Sequence, residues 1–209
     1  MSISDPLKRV QNLRRADQRR EHGAGQGRIP PGQAITHKFP VLSFGSTPHI
    51  DLNTWRLKVW GLVAEPREFT WVEFMQLPRQ RQVCDIHCVT RWSKLDTVWE
   101  GVPFREVVKL VKPLSTAQFV MEHAYGDYTT NVPLAELLND DVLLAFQYED
   151  QPLNPEHGGP VRMLVPQLYF WKSAKWLQGL EFIDEDRAGF WETYGYHMHG
   201  DPWTEERFS

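Results

Sequence analysis

Gln82-Val83-Cys84-Asp85-Ile86-His87-Cys88-Val89-Thr90-Arg91-Trp92-Ser93 contains both cysteines of the chain. Residues 82–89 read as a strand, with apolar side chains alternating against polar ones. Successive residues of a strand face opposite ways, so Cys84, Ile86 and Cys88 share one face and Asp85 and His87 the other. Four residues at ~3.3 Å each set the two thiols roughly 13 Å apart, too far for a disulfide. Two cysteines also exclude a secreted disulfide scaffold. Cys88 closes the strand just before a polar turn, a position from which a thiol faces a pocket. Arg91 would favour the thiolate, the form that binds soft metals and attacks electrophiles. A buried inert thiol fits the same spacing. A zinc site on Cys84, His87 and Cys88 lacks a second Cys/His pair at zinc-finger spacing.

Outward from this strand the pattern stays short and irregular. Further strands are expected over residues 55–62, 119–124, 128–132, 142–146, 161–165 and 180–182. Thr70 caps a short helix through Met75, and residues 104–110 and 134–138 have helical spacing. Nearer the start, Asp5-Pro6 opens a helix with Leu7, Val10 and Leu13 on one stripe, stopped at Gly23. Residues 23–34, rich in Gly and Pro, read as a linker or an arm lying on the body. Strands outnumber helices without alternating regularly with them. The expected fold class is therefore α+β, with mixed sheets and short helices.

The chain has 209 residues, 41% of them hydrophobic and 24% charged, enough for one sizeable globular domain. Residues 1–30 carry seven Lys or Arg against three Asp or Glu, so a net of +4 there leaves −8 for the remainder. A mildly acidic body does not suggest a nucleic-acid surface. No apolar run approaches a membrane span. Arg14-Arg15 and Arg19-Arg20 are followed by Ala16-Asp17-Gln18 and Glu21-His22-Gly23 rather than an apolar h-region, so a cytoplasmic location is expected. Nine Trp supply large rigid surfaces, which suits deep pockets.

Two later segments carry groups suited to an anion. In Glu156-His157-Gly158-Gly159-Pro160-Val161-Arg162, two glycines permit close backbone approach and Arg162 presents a planar fork. In Trp171-Lys172-Ser173-Ala174-Lys175-Trp176, a hydroxyl, backbone N–H groups and two ammonium groups suit a phosphate. Together they point to a phosphate-bearing ligand near a thiol.

These residues, in this order, resemble the molybdopterin-binding domain of the sulfite oxidase superfamily. The matching segments are THKFPVL from Thr36, WRLKVWGLV from Trp55, HCVTRWS from His87, YTTNVPL from Tyr128, LLAFQYEDQPL from Leu143, HGGPVR from His157 and KSAKWL from Lys172. Short bacterial sulfite oxidase-like oxidoreductases are the nearer likeness, and the catalytic subunit of periplasmic methionine-sulfoxide reductase a more distant one. The resemblance divides the chain into a basic helix and arm, residues 1–30, and an oxidoreductase domain, residues 31–209. It implies a molybdenum–molybdopterin cofactor with Cys88 as the protein's ligand to the metal. His157 and Arg162 would contact the pterin and its phosphate, and Ser173 and Lys175 would close around that phosphate. His37 and Phe39 would line the near side of the cofactor, and Tyr128 would stand in the active site. A single thiolate suffices, because the pterin's dithiolene holds the metal as well; Tyr128 and Arg91 would then tune the metal and orient substrate. The implied reaction is oxygen-atom transfer to or from a small sulfur or nitrogen compound, with an electron partner that is another protein or a small carrier. Thr36 stands where sulfite oxidases place an arginine, which argues against sulfite. Rival readings are a thiol enzyme with Cys88 as nucleophile and His157 as base, and a non-catalytic cofactor-binding protein.

Overall fold

A computed structural model describes residues 27–209. The expected helix over residues 5–23 lies outside the described residues. The described strands form two sheets. The first takes β1 (Ala34–Ile35), β4 (Gln80–Cys88), β5 (Trp92–Pro103), β8 (Leu143–Tyr148), β9 (Gln151–Pro152) and β10 (Arg162–Leu164), in the order β1-β5-β8-β10, with β4 on β5 and β9 on β8. The second runs β3 (Arg67–Thr70), β2 (Arg56–Gly61), β11 (Leu177–Ile183), β6 (Phe119–Ala124), β7 (Thr129–Pro133). Both are mixed, since β1 pairs with β5 and β2 with β11 in parallel while the other pairs are antiparallel.

Four short helices fill the corners among the described residues: α1 (Trp71–Phe74), α2 (Phe104–Val111), α3 (Leu134–Leu137) and α4 (Phe190–Thr193). At α1 the Thr70 hydroxyl accepts the Glu73 N–H while the Glu73 carboxylate accepts the Thr70 N–H, so two end donors are satisfied reciprocally. In α2, Phe104, Val107 and Val111 are buried along one stripe, and Lys112 ends the helix in the left-handed region at φ 52°.

The main core lies between the sheets, around Trp55, Leu57, Phe74, Phe104, Val120, Leu144, Met163, Leu180 and Phe182. The first sheet is covered on its other face too, by Ile86, Trp99, Leu143, Ala145, Leu164 and Phe170. This explains the uninterrupted apolar run Leu143-Leu144-Ala145-Phe146. Leu144 and Phe146 enter one core and Leu143 and Ala145 the other, which is the signature of a strand buried on both sides.

The sequence pattern misses β5, the longest described strand. Its alternation is broken where Cys84↔Thr97 shifts to Ile86↔Lys94, with Asp96 at φ 54°. This bulge lies next to Asp85, whose carboxylate accepts the Asp96 N–H and binds Arg28. Residues 27–35 do lie on the body, through that Arg28 contact and the pairing of β1 with β5. No helix among the described residues is long and apolar enough to cross a membrane.

Candidate cofactor site

Cys88 ends β4, and its carbonyl accepts the Arg91 N–H at 2.9 Å to close a turn back into β5. Its thiol is buried, 3.2 Å from the Thr90 hydroxyl. Burial pushes the thiol up; hydrogen bonds from Thr90 and the charges of Arg207 and Arg162 pull the other way. The sulfur faces a cavity of about 330 Å³. Cys84 shares the strand face but packs into the second core instead, 3.8 Å from the Thr97 hydroxyl, and burial holds its thiol up at about 12. Both cysteines are free thiols.

Of the residues singled out in the sequence, the cavity brings together Phe39, Cys88, Tyr128, Arg162, Ser173 and Lys175. Arg162 comes from β10 and is wholly enclosed. Its Nη1 donates to the His157 carbonyl at 2.7 Å, its Nη2 to the Ser173 carbonyl at 2.8 Å, and its guanidinium stacks 4.0 Å from the Phe170 ring centre. Desolvation lowers it to about 9. The Lys175 ammonium donates to the Leu42 and Glu156 carbonyls and the Ser43 hydroxyl, and burial followed by the nearby Arg162 charge lowers it to about 7. Neither cation forms an ion pair among the described residues. The Ser173 hydroxyl accepts the Val165 N–H, and behind it the buried Glu122 carboxyl accepts the Ala174 N–H, with burial raising that carboxyl to about 8. Tyr128 donates to the Trp171 carbonyl at 2.6 Å, and burial keeps its hydroxyl protonated.

The structure revises other expectations. Arg91 is exposed, has φ 72°, and does not line the cavity; the positive φ turns its side chain towards Gly32 and Glu205. The cations whose charge acts on the thiol are Arg207 and Arg162. His37 is exposed and outside the cavity wall. His157 stands one layer back, its ring stacked 3.9 Å from that of Phe39 and its Nε2 donating to the Phe39 carbonyl. Lys172 turns away to a fully buried pair with Glu192 at 2.6 Å. Of the two glycines, Gly158 at φ 108° makes room for Lys175, since a Cβ there would sit 2.9 Å from the lysine's own Cβ. At Gly159 a Cβ would sit 2.1 Å from the Leu153 carbonyl oxygen.

Sequence reasoning missed the aromatic wall of Phe44, Trp92, Phe170, Trp171, Trp191 and Tyr196. It also missed Thr90, although that residue lies within the quoted stretch. Trp191 and Tyr196 follow the last expected strand, where periodicity carried no signal.

The donor set suits a phosphate-bearing metal cofactor. The buried Arg162 and the half-buried Lys175, both without carboxylate partners, and the buried Trp92 Nε1, which has no hydrogen-bond partner among the described residues, line one cavity with a single thiol. A buried charge is costly unless paired, so such a cavity favours an anion.

Residues 44–191 match the family model described as "Oxidoreductase molybdopterin binding domain". The "Uncharacterized oxidoreductase YuiH" of Bacillus subtilis (strain 168) is 46% identical over 184 residues, covering 88% of this chain and 93% of that protein. The "Putative protein-methionine-sulfoxide reductase subunit YedZ1" of Azospira oryzae is 31% identical over 175 residues, covering 82% of this chain and 66% of that protein. Among solved structures, the sulfane dehydrogenase SoxCD from Paracoccus pantotrophus superposes with a TM-score of 0.61 at 21% identity, over 66% of this chain and 40% of that one, which is a likeness of fold.

Proposed function

We infer a mechanism from the premise that this chain belongs to the oxidoreductase molybdopterin-binding domain family and is a molybdopterin-dependent oxidoreductase. The reading is oxygen-atom transfer to or from a small, neutral sulfur or nitrogen compound. The observation that carries it is the single buried thiol facing the same cavity as the buried Arg162 and the half-buried Lys175, neither of which has a carboxylate partner among the described residues. Cys88 would be the protein's thiolate ligand to molybdenum. Arg162, Lys175 and the Ser173 segment would hold the phosphate, and Phe39, braced by His157, would lie along the pterin. When bound, the cofactor supplies the two-electron change that oxygen-atom transfer requires.

The protein's own contribution is positioning and exclusion of water. Tyr128 lines the cavity, its protonated hydroxyl held by the Trp171 carbonyl, and would orient substrate from there. Phe44, Trp171, Trp191 and Tyr196 give the cavity neutral, aromatic sides. Those sides support an uncharged substrate more directly than Thr36 does, because Thr36 hydrogen-bonds the Lys38 backbone and lies off the cavity. The thiol-nucleophile alternative is disfavoured, since His157 Nε2 is committed to the Phe39 carbonyl and the thiol's neighbour is Thr90. The electron partner in this reading is another protein or a small carrier. We also propose a cytoplasmic location, supported by the charged residues that follow each arginine pair; cell fractionation tests it.

The reading is tested by measuring molybdenum per chain in protein from a host that makes the cofactor. About one metal per chain is expected. Arg162→Ala and Lys175→Ala should each lower that occupancy by roughly tenfold, since a charge-assisted bond to phosphate is lost. Zinc in place of molybdenum, or full occupancy in both variants, would refute the assignment.

A further inference from the structure

The turn that carries Cys88 is held from outside the family-matched segment. Residues 44–191 match the family model, yet three of the four carbonyls of Cys88–Arg91 accept hydrogen bonds from residues before or after it. The Gln33 side chain donates its Nε2 to the Cys88 carbonyl at 3.0 Å. Arg207 Nη1 donates to the Val89 carbonyl at 2.6 Å. The Ala34 N–H donates to the Arg91 carbonyl at 3.0 Å. The two flanks also meet each other, for Arg207 Nη2 reaches the Pro31 carbonyl at 3.4 Å. Arg207 is itself fixed, 5% exposed and stacked 4.8 Å from the Tyr169 ring centre.

Arg207 is buried with its paired carboxylate, Glu205, 3.6 Å away, and its shortest hydrogen bond goes to the carbonyl next to the proposed metal ligand. A side chain cannot point accurately from a loose turn, and a ligand that is off by a fraction of an ångström alters the metal it binds.

We propose that Gln33 and Arg207 are positioning residues that clasp the Cys88–Val89 backbone and so set the direction in which Cys88 Sγ faces the cavity. The proposal rests on the reading of Cys88 as the metal ligand. Neither residue lines the cavity; Gln33, which is uncharged, acts through the turn alone, whereas Arg207 adds its charge on the thiol.

The test compares Gln33→Ala, Arg207→Ala and Arg207→Lys, which keeps the charge, with Arg91→Gln, which removes an exposed charge at the turn without removing a side-chain bond to a turn carbonyl. Two quantities are read. The first is hydrogen exchange at the Arg91 amide, which closes the turn on the Cys88 carbonyl, in protein with and without cofactor. The second is the thiolate-to-molybdenum charge-transfer absorption of loaded protein. Gln33→Ala and Arg207→Ala should each speed exchange by roughly tenfold, the scale of one lost hydrogen bond. Both should shift the absorption band while molybdenum per chain stays near wild type. Arg207→Lys should recover part of the shift, and Arg91→Gln should change neither quantity. Unchanged exchange in both alanine variants would overturn the clasp. Faster exchange with an unmoved band would overturn the positioning role. If the Arg207 variants do not fold, Gln33→Ala alone decides, since it deletes one side-chain bond. A wild-type protein that takes up no molybdenum would refute the functional reading instead, and exchange in the metal-free protein would still test the clasp.

Discussion

Cys88 and Cys84 lie on one strand with opposite fates, and substitution separates them. Cys88→Ser replaces a soft ligand by a harder, much less acidic one. Activity should fall by about 100-fold or more, because changes merely next to a metal ligand already cost 10–100-fold. Cys84→Ser should leave turnover intact and cost about 1 kcal/mol of stability at most. Kinetics with an artificial electron carrier, beside a urea melt, checks both, and an inactive Cys84→Ser would reassign the ligand. Tyr128→Phe should keep its molybdenum and turn over more slowly, measured as metal per chain against kcat. The chemistry of the site was legible where residue type alone is informative. A buried thiol, an arginine after a glycine pair and a lysine beside a serine each have few structural reasons to occur together. Side-chain direction was not legible. Arg91 follows the thiol by three residues, yet a φ of 72° turns it away. Arg207, which sends its charge and a hydrogen bond to that turn, is 118 residues from Val89, beyond any local pattern.

Elements with one buried face were readable, and those with broken alternation were not. The capped helix after Thr70 and the strand ending at Cys88 appear close to their expected bounds. β5 was hidden by the bulge at Asp96, and by Gly101, where a Cβ would press on the Leu144 carbonyl at 2.5 Å. The loop before β10 offers a direct test. Gly158→Ala puts a Cβ into a left-handed residue and against Lys175. The strain should cost about 1–3 kcal/mol. The displaced ammonium should also lower cofactor occupancy, so a shifted urea midpoint with reduced molybdenum is the expected pair of results. A stability loss with full occupancy would detach the loop from the site.

Across the whole molecule, the segment after α4 returns over the cavity and is fastened by His199, whose Nδ1 and Nε2 lie 2.9 Å from Glu206 and 3.1 Å from Glu136. Burial alone would lower this histidine, but the hydrogen bonds to the two carboxylates outweigh it and raise it above 6.5. A raised folded value means that the contribution is fully present below the unfolded value of about 6.5 and is lost as pH rises through the folded one. The melting temperature of wild type should therefore exceed that of His199→Gln at pH 6 by a few degrees, and the gap should narrow towards pH 9. A gap independent of pH would remove the charge from the account. The mixed α+β architecture followed from the irregular order of short strands, whereas the second core, which buries the first sheet on both faces, needed the three-dimensional pairing to be seen. One consequence of the aromatic wall is optical. Four of the nine tryptophans, Trp92, Trp171, Trp176 and Trp191, line the cavity. A pterin held there would absorb in the near ultraviolet where indoles emit, so filling the site should dim the protein's own fluorescence. Occupancy then becomes a quantity that can be followed in a cuvette, residue by residue and without any substrate.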